Sequence, residues 1–488
     1  MGKEKKASNI KINTFYNLMK TMSTIIFPLI TFPYVSRVLH AENIGKINFG
    51  TSIVNYFSLL ATLGVTTYAV RECSRVRNDK KRLGETVSQI MTINLCTMSV
   101  SYLIMVFSLA FVPRLSSYRV LIIIQSLSIV FTVIGTDWLN TAMEDFKYIT
   151  IRSFCFQVLS VLAMLFFVRK PEHYLRYAMI SVFSSSGACL SNIFYRRKYC
   201  RVQIVRNMNW KRHFPPIMLL FAMLLSQTIL HSMDTTMLGF LKGDYDVGLY
   251  STAMRINNTV SQVVSSIAWV VMPQLSQAFA EKNYKKINSL LRDAVAFTGI
   301  VGIPCFAGLN VLAPEFIEIL GGREYLGATN CLRILTCSMI ISFISGIFGN
   351  MILLPSMREK RFMVACICGA ITNLGINFLL IPRFGINGAS VATVISNVVI
   401  TIIVAINIDK EINFNGIEKV LCAPLVGGVG IVIIGMLGKM FINNLWIKTI
   451  VVILGSVIFY GASLVVLKNE VAVNFVCSLK KKIGFMRK

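Results

Sequence analysis

Val420–Ile442 reads VLCAPLVGGVGIVIIGMLGKMFI, twenty-three residues with a single charge, Lys439. A helix of about twenty apolar residues spans the roughly 30 Å hydrocarbon layer of a membrane. In lipid every backbone polar group must find its partner within the segment, which leaves a helix as the conformation for such a run. Working outward, a window of about nineteen residues finds the same pattern again and again. The expected spans are 14–38, 47–70, 86–110, 119–141, 149–168, 176–195, 216–239, 248–274, 293–319, 328–354, 361–381, 388–407, 420–442 and 447–467. The chain of 488 residues is 55% hydrophobic and only 15% charged, with a mean hydropathy of +0.65. A soluble domain averages about 25% charged residues. The composition therefore predicts an all-α polytopic membrane protein of about fourteen transmembrane helices.

The net charge of +27 raises the question of a nucleic-acid partner. The basic residues sit in short loops between apolar runs, where an excess of Lys and Arg marks the cytoplasmic side. No nucleic acid is expected. Counting from a cytoplasmic N-terminus, inside segments hold Lys3, Lys5, Lys6 and Lys11, then Arg71, Arg75, Arg77, Lys80, Lys81 and Arg82. The loop at 196–213 adds Arg196, Arg197, Lys198, Arg201, Arg206, Lys211 and Arg212, and the tail adds Lys468, Lys480, Lys481, Lys482, Arg487 and Lys488. Outside loops hold scattered bases such as Lys242, Arg323 and Arg383. Fourteen spans with both termini in the cytoplasm fit this alternation. The first apolar run follows basic residues as a signal peptide does, but lacks a small-residue cleavage site and reads as a retained span. The twelve cysteines, such as Cys96, Cys155, Cys189 and Cys305, mostly fall inside spans and read as small buried apolar residues.

A repeat runs through the chain. IGKINFGTSIVNYF from Ile44 parallels VGLYSTAMRINNTV from Val247. DFKYITIR from Asp145 parallels REKRFMVA from Arg358, and VRKPEHYLRYAMISV from Val168 parallels IPRFGINGASVATVI from Ile381. Six spans per repeat is an even number, so both halves enter from the same side and form a parallel pseudo-repeat. The expected domains are 1–213, a six-helix bundle with its linker loop; 214–407, a second six-helix bundle; and 408–488, two accessory helices and a basic tail.

Catalytic and phosphate-loop signatures are absent, and four histidines leave little for a metal. No cofactor, no metal and no enzymatic activity are expected. The informative residues are polar ones inside spans. Span one carries Asn13, Asn17, Lys20 and Thr24 at helical spacing, with Arg37 near its far end. Span two carries Asn48, Ser52 and Asn55; span seven carries Gln227, His231 and Asp234; span eight carries Ser251, Arg255, Asn258 and Gln262. Each set gives its helix one wet stripe. A charge at the bilayer centre costs at least ~2.5–3.5 kcal/mol, so Asp234 and Arg255 face a cavity or each other. Lys20 and Arg37 either line that cavity or snorkel to the membrane faces. His231 reads as a helix–helix hydrogen bonder or a proton relay. Asp137 and Glu144, seven residues apart, read as a cytoplasmic gate or as a solvated helix end. Spans thirteen and fourteen show no stripe and read as lipid-facing accessories.

The stretch from Asn13, NTFYNLMKTMSTIIFPLITFPYVSRVLHAENIGKINFGTSIVNYFSLLATLGVTTYAVRECSRVR, resembles the O-antigen and capsular oligosaccharide flippases. These belong to the multidrug/oligosaccharidyl-lipid/polysaccharide exporter superfamily. DWLNTAMEDFKYITIR from Asp137, DTTMLGFLKGDYDVGLYSTAMRINNTV from Asp234 and MPQLS from Met272 resemble the same family. The resemblance implies two six-helix bundles forming a V, with helices one, two, seven and eight lining a central cavity. It implies a bacterial cytoplasmic membrane protein and a polyprenyl-diphosphate-linked oligosaccharide as cargo, typically on undecaprenyl. It also implies a proton or sodium ion as coupling partner, with a polysaccharide polymerase and assembly proteins nearby. A multidrug/cation antiporter of the same superfamily is the main rival, although the basic residues of the stripes suit an anion better. A membrane polymerase or lipid-sugar glycosyltransferase needs a large exposed loop, and the outside loops here are about ten residues or fewer.

Overall fold

A computed structural model describes residues 2–467, apart from 206, 207, 410 and 415, together with residue 469; the side chains of 2–14, 17, 18, 25, 219 and 266–270 lie outside that description. The side chains of Asn13 and Asn17, together with Lys468 and the distal basic tail, therefore lie outside what the structure describes.

The described residues are mostly helical, with no strand among them. The helices are α1 Gly2–Thr62, α2 Val65–Arg75, α3 Lys80–Phe111, α4 Pro113–Ser116, α5 Arg119–Gly135, α6 Asp137–Ala142 and α7 Phe146–Phe167. Next come α8 Tyr174–Val182, α9 Ala188–Leu190, α10 Asn192–Tyr195 and α11 Trp210–Leu241. The remainder are α12 Asp244–Ala280, α13 Tyr284–Val311, α14 Ala313–Leu320, α15 Thr329–Gly346, α16 Glu359–Ile406, α17 Ile417–Phe441 and α18 Leu445–Val466. Among the described residues, nine helical stretches are long and apolar enough to cross a membrane. Two of them, Met19–Arg75 and Glu359–Ile406, hold two expected spans each. Their helices break at His40, φ 64°, and at Gly385, φ 54°, between the paired spans. The shorter apolar α5, the α8–α10 segment and α12 supply the other three, so each of the fourteen expected runs is helical. The protein is a multi-pass membrane protein.

Burial is inverted relative to a soluble protein. α3 exposes Leu103, Val106, Phe107 and Phe111, while Ser101 on the same helix is buried and donates to the Phe57 carbonyl at 2.6 Å. α18 likewise exposes Ile450, Leu454, Val457 and Ile458 and buries Thr449 and Ser456. Hydrocarbon outside and hydrogen-bonded polar groups inside is the arrangement a lipid solvent selects.

Internal contacts divide the chain into two units, one ending at Gly248 and the other beginning at Leu249. The sequence reading puts the joint in the 196–213 loop; in the structure α11 packs into the first unit. It does so through Thr236, whose hydroxyl donates to Ser52 at 2.9 Å, and through Gly239, which lies against the Phe49 ring. In the second unit α17 packs along α13 and α18, and Tyr460 of α18 donates to the Ile300 carbonyl at 2.7 Å.

Local geometry carries the repeat. In the register that aligns Asp145 with Arg358, Glu144 (φ 59°) falls on Met357 (φ 60°), both left-handed non-glycine residues. The left-handed Thr136 that separates α5 from α6 falls within the π-helical turn Ile347–Leu353. Asp79 and Asn283 cap α3 and α13, the third and ninth spans, with their side chains. The repeat thus recurs in these turns and caps, although α12 runs unbroken where the first half turns at Leu63–Gly64.

Candidate functional site

Polar side chains exposed in the middle of apolar spans cannot face hydrocarbon at an acceptable cost, so their exposure marks a water-accessible face. On α1, Asn55 is exposed, Asn48 is half-buried, and Ser52 turns inward to bond the Phe49 carbonyl and Thr236. On α11, Gln227 and His231 are exposed, while Asp234 is buried at 1%. Asp234 lies within electrostatic reach of Tyr56, whose hydroxyl is 3.5 Å from that of Thr236. On α12, Asn258 and Gln262 are exposed, and Arg255 and Ser251 are half-buried. Asn55, Gln227, His231, Asn258 and Gln262 are thus exposed, with Ser52 and Asp234 set inward. Arg37 is exposed and donates to the Pro33 carbonyl at 2.6 Å.

Lys20, half-buried on α1, sends its field to Asp137, which belongs to a cluster that the sequence reading did not assemble. Asp137 Oδ1 accepts from Arg152 Nη2 at 2.6 Å and from Asn192 Nδ2 at 3.0 Å. Asn140 Nδ2 donates to Asn192 Oδ1 at 2.8 Å, and Arg152 Nη1 donates to that same oxygen. The Arg152 guanidinium also lies 5.2 Å from the Tyr148 ring centroid. Arg152, Asn140 and Asn192 are all buried, so α6, α7 and α10 are tied by one desolvated polar network. The one sequence signal was an arginine inside an apolar run.

Glu144 is elsewhere. α6 ends at Ala142, Glu144 sits in the left-handed region beyond it, and its carboxylate accepts from Arg77 at 2.6 Å. The seven-residue spacing therefore does not put Asp137 and Glu144 on one helical face, and the two groups serve separate contacts.

Next to Glu144 a clasp closes span five onto span six. Asp145 accepts from Tyr199 at 2.6 Å and from Tyr195 at 2.7 Å, with Lys198 at 3.6 Å, and the Tyr195 ring stacks on Tyr148 at 3.5 Å. Burial works to raise the Asp145 carboxyl; the two tyrosine hydroxyls, the Tyr148 amide and the Lys198 ammonium outweigh it and hold the group below the usual carboxylate range. In the second unit Arg358, which falls on Asp145 in the same register, pairs with Asp409 at 2.6 Å.

The second unit also buries a polar seam that the sequence reading passed over. Asn377 Nδ2 donates to Asn373 Oδ1 at 3.0 Å, Asn397 Nδ2 to Ser338 Oγ at 2.6 Å, and Thr393 to the Ala389 carbonyl at 3.1 Å. No group of three or more His, Cys, Asp or Glu suited to a metal occurs among the described residues.

A family model described as polysaccharide biosynthesis protein matches residues 10–279, and a second, described as MatE, matches 219–379. A probable low-salt glycan biosynthesis flippase of Haloferax volcanii, Agl15, is 29% identical over 35% of this chain and 36% of its own, so the chain spans about a third of that relative's length in the match. A putative O-antigen transporter of Shigella dysenteriae is 22% identical, covering 77% of this chain and 94% of that one. Among solved structures, the lipid II flippase MurJ in an inward closed conformation superposes with a TM-score of 0.71 at 15% identity, over 93% of this chain and 99% of that one. At that identity the likeness speaks for the fold alone.

Proposed function

Because the chain belongs to the polysaccharide biosynthesis protein family, the O-antigen and capsular flippase branch of its exporter superfamily, we propose that it flips undecaprenyl-diphosphate-linked oligosaccharide across the bacterial cytoplasmic membrane by alternating access. What supports this reading is α12, where the half-buried Arg255 stands with the exposed Asn258 and Gln262 inside an apolar helix. An arginine fork matches the paired oxygens of a diphosphate, and neutral amides suit sugar hydroxyls. Asn48, Asn55, Gln227 and His231 extend the polar surface for the sugars, and Lys20 and Arg37 add positive charge. Asp234, buried on α11, is the site proposed for a coupling proton or sodium ion. In this reading Asp137 is a structural anchor of the cytoplasmic end, both termini are cytoplasmic, and a polysaccharide polymerase receives the product.

The test is export in cells lacking their own flippase. Expression of this chain restores surface polysaccharide and clears the accumulated lipid-linked intermediate. Failure to do so by membrane-resident protein, across several cargo systems, removes the reading. The match to the MatE model supports a second reading, cation antiport, which predicts resistance to cationic drugs instead.

A further inference from the structure

We propose that the second unit holds an anionic glycerophospholipid, with an acyl chain in a cavity between α13, α17 and α18 and its phosphate on a lysine–arginine cluster at the cavity's mouth. The cavity has a volume of about 510 Å³ and is walled by Gly308, Leu312, Phe316, Val452, Ser456 and Tyr460 among others. Its lining is almost wholly apolar, and Tyr460 commits its hydroxyl to the Ile300 carbonyl. Ile453 and Val457 on the rim are exposed beside Ile450, Leu454 and Ile458, so the cavity opens next to a face that hydrocarbon covers.

The end nearest the α17–α18 turn is charged. Glu315, 3% exposed, lies one residue before the cavity-lining Phe316. Its carboxylate takes Lys448 at 2.8 Å and Lys439 at 3.7 Å. Lys439 also donates to the carbonyl of Val311, itself a wall residue, and Lys448 sits one helical turn before the wall residue Val452. Arg333, whose Nε donates to the Asn310 carbonyl at 3.3 Å, is within electrostatic reach of Lys439. Two lysines therefore share one carboxylate, Arg333 adds a third cation near Lys439, and the lysines keep 30% and 17% of their side-chain surface exposed. A surplus of positive charge at the end of a span is costly unless an anion meets it. A membrane phosphodiester with its chain in the adjoining cavity supplies both the anion and the apolar filling.

Two wall glycines give a clean test, because a Cβ at Gly308 or at Gly461 meets nothing within 4 Å. Leucine at either position fills the cavity without a clash at the backbone. The full-length protein is purified, delipidated in detergent and titrated with dioleoylphosphatidylglycerol or dioleoylphosphatidylcholine, and bound lipid is counted by native mass spectrometry. One phosphatidylglycerol is expected to bind about tenfold or more tightly than phosphatidylcholine, since each basic group adds roughly fivefold for an anionic lipid. Gly308→Leu and Gly461→Leu lower binding of both lipids while the melting temperature is kept. Lys439→Gln, which leaves Glu315 its Lys448 partner, brings phosphatidylglycerol down toward phosphatidylcholine. Equal affinity for the two lipids, or undiminished binding in both leucine variants, overturns the proposal. So does displacement of phosphatidylglycerol by equimolar undecaprenyl phosphate, which would assign the cavity to a polyprenyl chain. None of these readouts depends on transport.

Discussion

Charges inside spans are kept here in two ways. Arg152 is desolvated, and its cost is met by Asp137, Asn192 and the Tyr148 ring, so it is held for structure. Removing one partner of such a buried pair costs roughly 3–5 kcal/mol, because the other is left uncompensated. Arg152→Ala should therefore sharply lower the yield and melting temperature of detergent-purified protein, whereas Arg152→Met combined with Asp137→Asn should recover most of the loss. A double variant as unstable as Arg152→Ala would show that the network is held by something other than charge pairing. Arg255 is the other kind, on a face with exposed amides. Arg255→Lys keeps the charge and loses the fork, so export should fall partly; Arg255→Ala should abolish export with normal protein in the membrane. If Asp234→Ala restores export to Arg255→Ala, Arg255 is a structural partner and leaves the site. A third residue, Asp145, titrates outside the spans. Its folded pKa is depressed, so the clasp's contribution is present above the unfolded value of about 3.9 and is lost as pH falls through the folded one. Melting temperature measured from pH 7 downward should fall in that acid window for the wild type and less so for Asp145→Asn.

At the scale of elements, the start of span two and the start of span eight meet through matching glycines. A Cβ on Gly45 would lie 1.7 Å from the Asp244 carbonyl oxygen, and one on Gly248 would lie 2.0 Å from that of Ala41. In the register that aligns Ile44 with Val247, Gly45 falls on Gly248 and Ala41 on Asp244, so the contact is reciprocal within the first unit. Gly45→Ala, which in a free helix would stabilise by roughly 0.5–1 kcal/mol, should here lower the melting temperature, while Gly308→Ala should not. Equal effects from the two substitutions would remove the close approach from the account. The repeat and the helical runs were legible in the sequence because hydrophobicity and glycine punctuation are local signals. The stripes on α11 and α12 were legible for the same reason: helical spacing alone puts Gln227 with His231, and Asn258 with Gln262, on one face. The Asp137 network was not, since Arg152 and Asn192 reach Asp137 from other helices and no spacing rule joins them. Glu144 was misplaced because a left-handed residue cancels the helical phase on which its pairing with Asp137 relied. The accessory helices were read only for a wet stripe, and the isolated Lys439 and Lys448 acquire meaning only when α14 brings Glu315 between them.

The described residues combine an apolar exterior, polar side chains at helical spacing within the spans, and a repeat in which particular turns and caps recur. The basic loops predict its orientation: cysteines introduced at 71–86 and 196–213 should react with membrane-permeant reagents and be protected from impermeant ones added outside. Labelling of the 196–213 loop from outside would invert the topology and move the clasps to the other face. The cargo is tested by reconstitution. Purified protein is placed in vesicles carrying an undecaprenyl-diphosphate-linked oligosaccharide in both leaflets, and a sugar-cleaving enzyme that cannot enter is added outside. With wild-type protein nearly all the lipid-linked sugar should be cleaved, against about half in protein-free vesicles and in vesicles holding Arg255→Ala. Cleavage that stops at the protein-free level with folded wild-type protein, across several oligosaccharides and with proton or sodium gradients of either sign, would contradict the proposed cargo.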